Sequence, residues 1–275
     1  MLSVLMSVYW KESPEFLDAA LHSIEVQTRQ ADEIVLVKDP VGPELEAVID
    51  AYRTRLPLTV IDMPHSVGFG EAMRIGVEKC RGDLIARMDT DDVCLPERFH
   101  LQVDYLDAHP EIDLVGGAIA EFATNPEQPF AIRKVPCLHE EIAKMAPFRN
   151  PINHMTVMFR RSAVLKSGNY HDDAGIEDYR LWARMLLAGC RFHNLDETLV
   201  LARTGNGFLK RRGGMVKLRH ELSMQNYFRQ IGFTSAGVYL FNLAVRTSVY
   251  LVPTVVRKIM YEGLLRSSIS SANPG

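Results

Sequence analysis

Asp89-Thr90-Asp91-Asp92 sets three carboxylates within four residues, directly after the largely apolar segment Asp83-Leu84-Ile85-Ala86-Arg87-Met88. Aspartate is a poor strand former, and carboxylates this close repel one another unless a cation sits among them. Hard divalent cations such as Mg2+ and Mn2+ take oxygen ligands, commonly one or two carboxylates together with substrate phosphates. The pattern suits a clamp on a metal-bound diphosphate, where positive charge stabilises a leaving group. The alternative is a solvated acidic turn whose last member, Asp92, caps a helix starting at Pro96.

Other residues offer chemistry at wider spacing. Glu177-Asp178 opens a helical pattern with Leu181, Trp182, Met185 and Leu186 on one side. Acids there face the positive end of the helix dipole, and either could instead be a general base toward an acceptor hydroxyl, with Asp172 and Asp173 just upstream as competitors. Asp39 closes the β-branched run Ile34-Val35-Leu36-Val37; it is either a turn former before Pro40 or an acceptor for a nucleobase N–H. Tyr9, after the first apolar run, could stack on that base or stand free at a strand end. His154 enters an extended stretch, 154–159, as a candidate contact for acceptor or phosphate, and Arg211-Arg212 before Gly213-Gly214 offers bidentate phosphate donors on flexible backbone.

The elements that must position these groups alternate from the start. Leu2–Val8, Ile34–Val37, Leu58–Ile61 and Asp83–Met88 read as strands. Between them, helical spacing follows Ser13-Pro14 (an N-cap and a Pro at the first helical position), covers Glu44–Tyr52 and covers Gly70–Cys80. Strand–helix alternation at this density implies an α/β architecture with a parallel sheet wound by helices on both faces. Ligands bind beyond the carboxyl ends of such strands, where Ser7–Tyr9, Lys38-Asp39 and Asp89–Asp92 would open into one crevice. Further on, Pro96–Ala108 and Glu177–Leu187 read as helices, and Ile112–Phe122 and Thr198–Ala202 as extended. Gly116-Gly117 marks a bend or a close backbone approach.

The 275 residues suffice for one large domain or a domain with a tail. A net charge of −3 without an aromatic-interleaved basic stripe argues against a nucleic-acid partner. Charge is unevenly spread: residues 203–275 hold 11 Lys/Arg against 2 Asp/Glu, a net of +9, which leaves −12 for residues 1–202. Four scattered cysteines and the lack of a signal-peptide pattern point to a cytoplasmic catalytic body.

In order along the chain, Met6-Ser7-Val8-Tyr9, Glu33–Asp39, His65-Ser66-Val67-Gly68, Ala86-Arg87-Met88-Asp89-Thr90-Asp91-Asp92 with Pro96-Glu97-Arg98-Phe99, Asn153–Arg160 and Glu177–Trp182 resemble the family-2 glycosyltransferases. These are inverting enzymes with the GT-A fold, and the similarity spans roughly residues 2–220. The bacterial exopolysaccharide, capsule and O-antigen subgroup, with its amylovoran-biosynthesis glycosyltransferases, is the one the chain looks most like. The resemblance implies a GT-A domain over 1–220, with a nucleotide-binding half at 1–92 and an acceptor half at 93–220, followed by a basic, apolar helical region at 221–275. It implies that Asp39 binds the base of a nucleotide-sugar donor, UDP-sugars favoured, in a pocket lined by Ser7 and Tyr9. Asp89 would face ribose and diphosphate and share Mn2+ or Mg2+ with the principal ligand Asp91, and Asp178 would be the catalytic base. The sequence departs from the family pattern at Trp10, Lys38, Pro40 and Ala72-Met73-Arg74, and it lacks the Gln-x-x-Arg-Trp of processive synthases.

Residues 236–256 are mostly apolar but contain Asn242, Arg246 and Pro253. A spanning helix needs about 20 predominantly apolar residues, and a central arginine is costly there. Two readings stand: core helices closing the domain, or peripheral contact with the inner face of the cytoplasmic membrane through 236–270, with Arg246, Arg257, Lys258 and Arg266 on anionic headgroups. The second suits a glycan or lipid-linked oligosaccharide acceptor. Two other functions are open to a chain of this kind: a catalytically silent nucleotide-sugar-binding subunit, and a sugar-nucleotidyltransferase. The latter usually has a glycine-rich phosphate loop after the first strand, where this chain reads Tyr9-Trp10-Lys11-Glu12-Ser13-Pro14.

Overall fold

The computed structural model describes residues 1–172, 175–204, 215–251 and 267–268. Four βα units come first: β1 (Leu2–Val8), α1 (Pro14–Glu25), β2 (Glu33–Lys38), α2 (Pro43–Arg53), β3 (Leu58–Asp62), α3 (Phe69–Lys79) and β4 (Leu84–Arg87). The strands pair in parallel in the order β3-β2-β1-β4. Side chains alternate across a strand, and here both sets are buried. Val4 and Met6 of β1 and Ile34 and Leu36 of β2 pack with Leu17 and Leu21 of α1 and Ile49 of α2. Leu5, Val35 and Val37 pack on the other face with Met73 and Val77 of α3. That two-sided burial is why these strands read as continuous apolar runs rather than alternating ones.

Beyond β4 the sheet is mixed. The remaining elements are β5 (Val93–Cys94), α4 (Arg98–Ala108), β6 (Leu114–Phe122), β7 (Ala131–Arg133), α5 (His139–Met145), β8 (Met158–Arg160), α6 (Arg161–Lys166), α7 (Glu177–Leu187), β9 (Phe192–Arg203), α8 (Met215–Gln230), α9 (Ala236–Leu251) and β10 (Ser267–Ser268). The main path of the sheet runs β10-β7-β6-β8-β4-β1-β2-β3, with β9 on β6 and β5 on β9. Strand β8 runs antiparallel to β4 and β6, and β9 runs parallel to β6. Gly116 and Gly117 are sites of close approach. A Cβ on Gly116 would lie 2.4 Å from Asn194 Oδ1, one on Gly117 2.5 Å from Leu199 Cδ1, and the β6–β9 register shifts after Gly117.

Three expectations need correction. The helix expected from Pro96 begins at Arg98, so Asp92 does not cap it; Asp92 instead accepts from the Arg203 backbone N–H at 2.7 Å and leads into β5. The stretch expected to be extended from His154 begins with a 3-10 turn, His154–Thr156, in which the Thr156 hydroxyl donates to the Asn153 carbonyl at 2.8 Å; only Met158–Arg160 is strand. Arg246 is not available as a headgroup anchor, because it pairs with Glu221 of α8 and donates to the Phe148 carbonyl at 2.7 Å. Among the described residues no helix is long and apolar enough to cross a membrane.

Candidate active site

β4 delivers the acidic turn. Arg98, wholly buried at the start of α4, donates to the carbonyls of Arg87 (2.7 Å) and Val157 (3.3 Å), which fixes the end of β4 against the segment entering β8. Gln102, one helical turn on, accepts from Arg98 Nε at 3.0 Å and donates to the carbonyls of Val115 and Thr156. Buried polar groups of this kind are tolerated because each finds a partner. The result is a rigid base beneath Asp89–Asp92.

The three carboxylates converge there: Asp89, Asp91 and Asp92 each offer an oxygen within 4.8 Å of the others. Asp89 is gripped through both oxygens by the buried guanidinium of Arg87, Nη1 donating at 2.5 Å. Thr90 turns inward and donates to Glu12 of the β1–α1 loop at 2.5 Å. Burial and the charges of Asp89 and Glu12 push the Asp91 carboxyl up to about 6, and burial with the charges of Asp89 and Asp91 raises Asp92 as well. An all-oxygen set whose mutual repulsion Arg87 offsets only in part, leaving the Asp91 and Asp92 carboxyls raised, fits a hard divalent cation.

Arg203, at the end of β9, is a second clamp on this turn. Its backbone N–H holds Asp92, its Nε donates to the Asp91 carbonyl at 3.1 Å, and its guanidinium lies over the rings of Phe16 (3.8 Å) and Phe122 (4.6 Å). Neither Arg203, Glu12 nor the grip of Arg87 stands out in the sequence.

The nucleotide-side candidates end β1 and β2. Ser7 is half-buried, and Tyr9, 48% exposed, projects from the loop that follows. Asp39 is buried and accepts from the Ser66 hydroxyl at 2.5 Å and the Val67 N–H at 3.4 Å, which ties the β3–α3 loop to the end of β2. Gly68 in that loop has φ +83°, a left-handed conformation open to glycine. Lys38 is buried and paired with Asp62 (2.8 Å) and Glu46.

The acceptor-side candidates head α7, which begins at Glu177. Glu177 is buried and accepts from the Gly175 N–H at 2.6 Å. Asp178 accepts from Asn150 Nδ2 at 2.8 Å and from the Tyr179 N–H at 2.7 Å. Burial and the neighbouring Glu177 charge raise its carboxyl to about 6, against the pull of those hydrogen bonds. His154 bonds through Nε2 to the Tyr170 hydroxyl at 2.9 Å, packs edge-on against Phe69 and Trp182, and is kept neutral by burial and by Arg87. The Arg87 charge acts on both Asp91 and Asp178, opposing the burial that raises each. The acidic turn and the head of α7 therefore share one electrostatic environment. Asp172 is exposed, with Oδ1 lying 3.0 Å from where a Cβ on Gly68 would be; Asp173, Arg211 and Arg212 lie outside the described residues.

A sequence model described as glycosyl transferase family 2 matches residues 3–168. An uncharacterized glycosyltransferase of Haemophilus influenzae is 43% identical, covering 96% of this chain and 98% of the relative. The amylovoran biosynthesis glycosyltransferase AmsE of Erwinia amylovora is 38% identical over 95% and 98%. A UDP-Gal:alpha-D-GlcNAc-diphosphoundecaprenol beta-1,3-galactosyltransferase of Escherichia coli is 33% identical over 96% of each. Among solved structures, S. aureus TarS 1–349 with UDP-GlcNAc superposes with a TM-score of 0.64 at 16% identity, covering 82% of this chain and 66% of that one. The Pyrobaculum calidifontis mannosyltransferase PcManGT, in complex with GDP-Man and Mn2+, gives 0.65 at 15% over 96% and 79%. The structural likeness bears out the expected GT-A fold.

Proposed function

The chain belongs to glycosyl transferase family 2 and is a glycosyltransferase, and from that premise we propose that it moves one sugar from a nucleotide-diphosphate donor to a lipid-linked glycan acceptor in surface polysaccharide assembly. The observation that carries the reading is the pairing of a three-carboxylate turn at the end of β4 with a hydrogen-bonded, raised-pKa Asp178 within the same electrostatic environment. The E. coli relative named for a diphosphoundecaprenol acceptor and the Erwinia relative named for amylovoran support the acceptor class.

In this reading Asp91, with Asp89, holds Mn2+ or Mg2+, which when bound offsets charge on the leaving diphosphate. Asp39 uses the lone pairs left over from Ser66 and Val67 to accept from the base, with Ser7 and Tyr9 beside it and UDP the favoured nucleotide. Asp178 takes the proton from the acceptor hydroxyl as that oxygen attacks the anomeric carbon from the face opposite the diphosphate, which inverts the centre. Glu177 and His154 support the acceptor side, and Arg211 and Arg212 supply diphosphate contacts. The absence of a Gln-x-x-Arg-Trp sequence supports transfer of a single sugar. Residues 1–220 form the transferase domain, nucleotide half 1–92 and acceptor half 93–220, followed by the helical region 221–275, whose stretch 236–270 contacts the inner face of the cytoplasmic membrane.

The test is release of nucleoside diphosphate from a panel of UDP- and GDP-sugars by the full chain, with Mn2+ and a bacterial lipid extract. Release that disappears with chelator, in Asp91→Ala and in Asp178→Asn is the expected result. Donor binding without release under every condition would leave a silent binding subunit and overturn the proposal.

A further inference from the structure

Helix α9 is turned inside out for a helix on a water-soluble surface. Asn242 and Arg246 stand four positions apart, hence on one face, and that face points into the protein. Asn242 is buried and donates to the Pro147 carbonyl (2.8 Å) and to Gln225 Oε1 (2.9 Å), and Arg246 is paired with Glu221. The other side carries Leu240, Phe241 and Val245, which are 63%, 58% and 43% exposed. Phe148 is itself 43% exposed and meets Phe241 edge-on with ring centroids 6.2 Å apart, so the apolar surface continues onto the turn before Asn150. An ordinary surface helix does the reverse, burying its apolar stripe. Isolated exposed apolar side chains need no explanation, but a contiguous group does.

We propose that this face of α9, together with Phe148, lies in the headgroup–acyl boundary of an anionic lipid bilayer. Charge selects that occupant. Arg149, next to Phe148, and Lys144, in the helix just before it, are exposed. Anionic headgroups attract such a rim, whereas a second copy of the chain would bring like charge against it. The 16 described residues of α9 fall short of the roughly 20 that a spanning helix needs, and they suit lying in the interface. The two residues that follow Phe148 have separate duties: Arg149 faces headgroups, and Asn150 holds Asp178. Seating Phe148 in lipid therefore sets the acceptor side of the crevice at the membrane surface, a consequence that rests on the function proposed above, although the insertion itself does not.

The test is sedimentation of the full chain with vesicles of phosphatidylcholine, with and without phosphatidylglycerol. Wild type is expected to sediment with the anionic vesicles, and Leu240→Asp/Phe241→Asp to lose at least about tenfold in partitioning with an unchanged thermal melt. Phe241→Trp should gain fluorescence quenched by acyl-brominated lipid beyond that of Trp10 and Trp182 in wild type. Wild-type binding that survives the double substitution, absence of binding to anionic vesicles, or a dimer that the substitution dissolves would each overturn the proposal. Vesicle binding is read without donor, so a chain that inserts but transfers no sugar defeats only the proposed function.

Discussion

The amide of Asn150 donates to Asp178 Oδ2 at 2.8 Å while the Tyr179 N–H holds the other oxygen at 2.7 Å. These bonds favour the ionised carboxylate, and burial beside Glu177 opposes it. The balance leaves the group near 6, high for an aspartate yet ionised at neutral pH, which is where a general base works well. The first prediction is a pH profile: kcat/KM rises tenfold per unit below about 6 and levels off above it, because only the deprotonated form accepts the acceptor proton. A profile flat down to the ordinary carboxylate range would remove Asp178 from the base role.

Asn150→Ala deletes one donor to that carboxylate. A hydrogen bond to a charged group contributes about 1.5–3 kcal/mol, so the break in the profile should move up by roughly one to two units and kcat at pH 7 fall about two- to tenfold. KM for the donor should hardly change, since Asn150 lies on the acceptor side. Loss of donor affinity with an unshifted break would mean that Asn150 serves the fold and not the base.

Asp178→Asn should remove turnover and raise stability together. The folded-state carboxyl sits above its ordinary value, so between about 4 and 6 the folded chain binds more protons than the unfolded one. Stability from this group therefore falls as pH rises through that window and stays lower above it. A neutral amide escapes the penalty, for a gain of about 1–2 kcal/mol at pH 7. Chemical denaturation at pH 7 and pH 4 checks the sign: the advantage of the variant should shrink at the lower pH.

Much of this site is legible from local pattern. The apolar runs of β1 and β2 announce strands buried on both faces, and Asp89–Asp92 announces itself because acids have no packing reason to follow such a run. The head of α7 is visible for the same reason, its acids preceding a clean apolar stripe. What is illegible is held by contacts distant in sequence. Nothing near residue 150 points to Asp178, and nothing in β9 says that Arg203 reaches back to Asp91. His154–Thr156 carries extended-looking residues, yet the Thr156 hydroxyl, which donates to the Asn153 carbonyl and accepts from the Gly117 N–H, helps wind it into a 3-10 turn. In α9 the residues that look like membrane obstacles, Asn242 and Arg246, are the ones turned inward, which no periodicity of hydrophobicity alone reveals.

Arg203 yields the last prediction. Its guanidinium spends its planar faces on Phe16 and Phe122 and its Nε on the Asp91 carbonyl, so shape and charge are both in use. Arg203→Met keeps bulk over the rings but releases the Asp91 carbonyl, and the acidic turn loses a tether against its own repulsion. Mn2+ affinity, read by electron paramagnetic resonance of the free ion, should weaken about tenfold, the equivalent of about 1.4 kcal/mol. Arg203→Lys should not restore it, because an ammonium neither stacks flat on two rings nor presents the fixed N–H direction of the guanidinium. Full rescue by lysine would reduce Arg203 to a point charge and leave the turn to be held by Arg87 and by the backbone bond to Asp92.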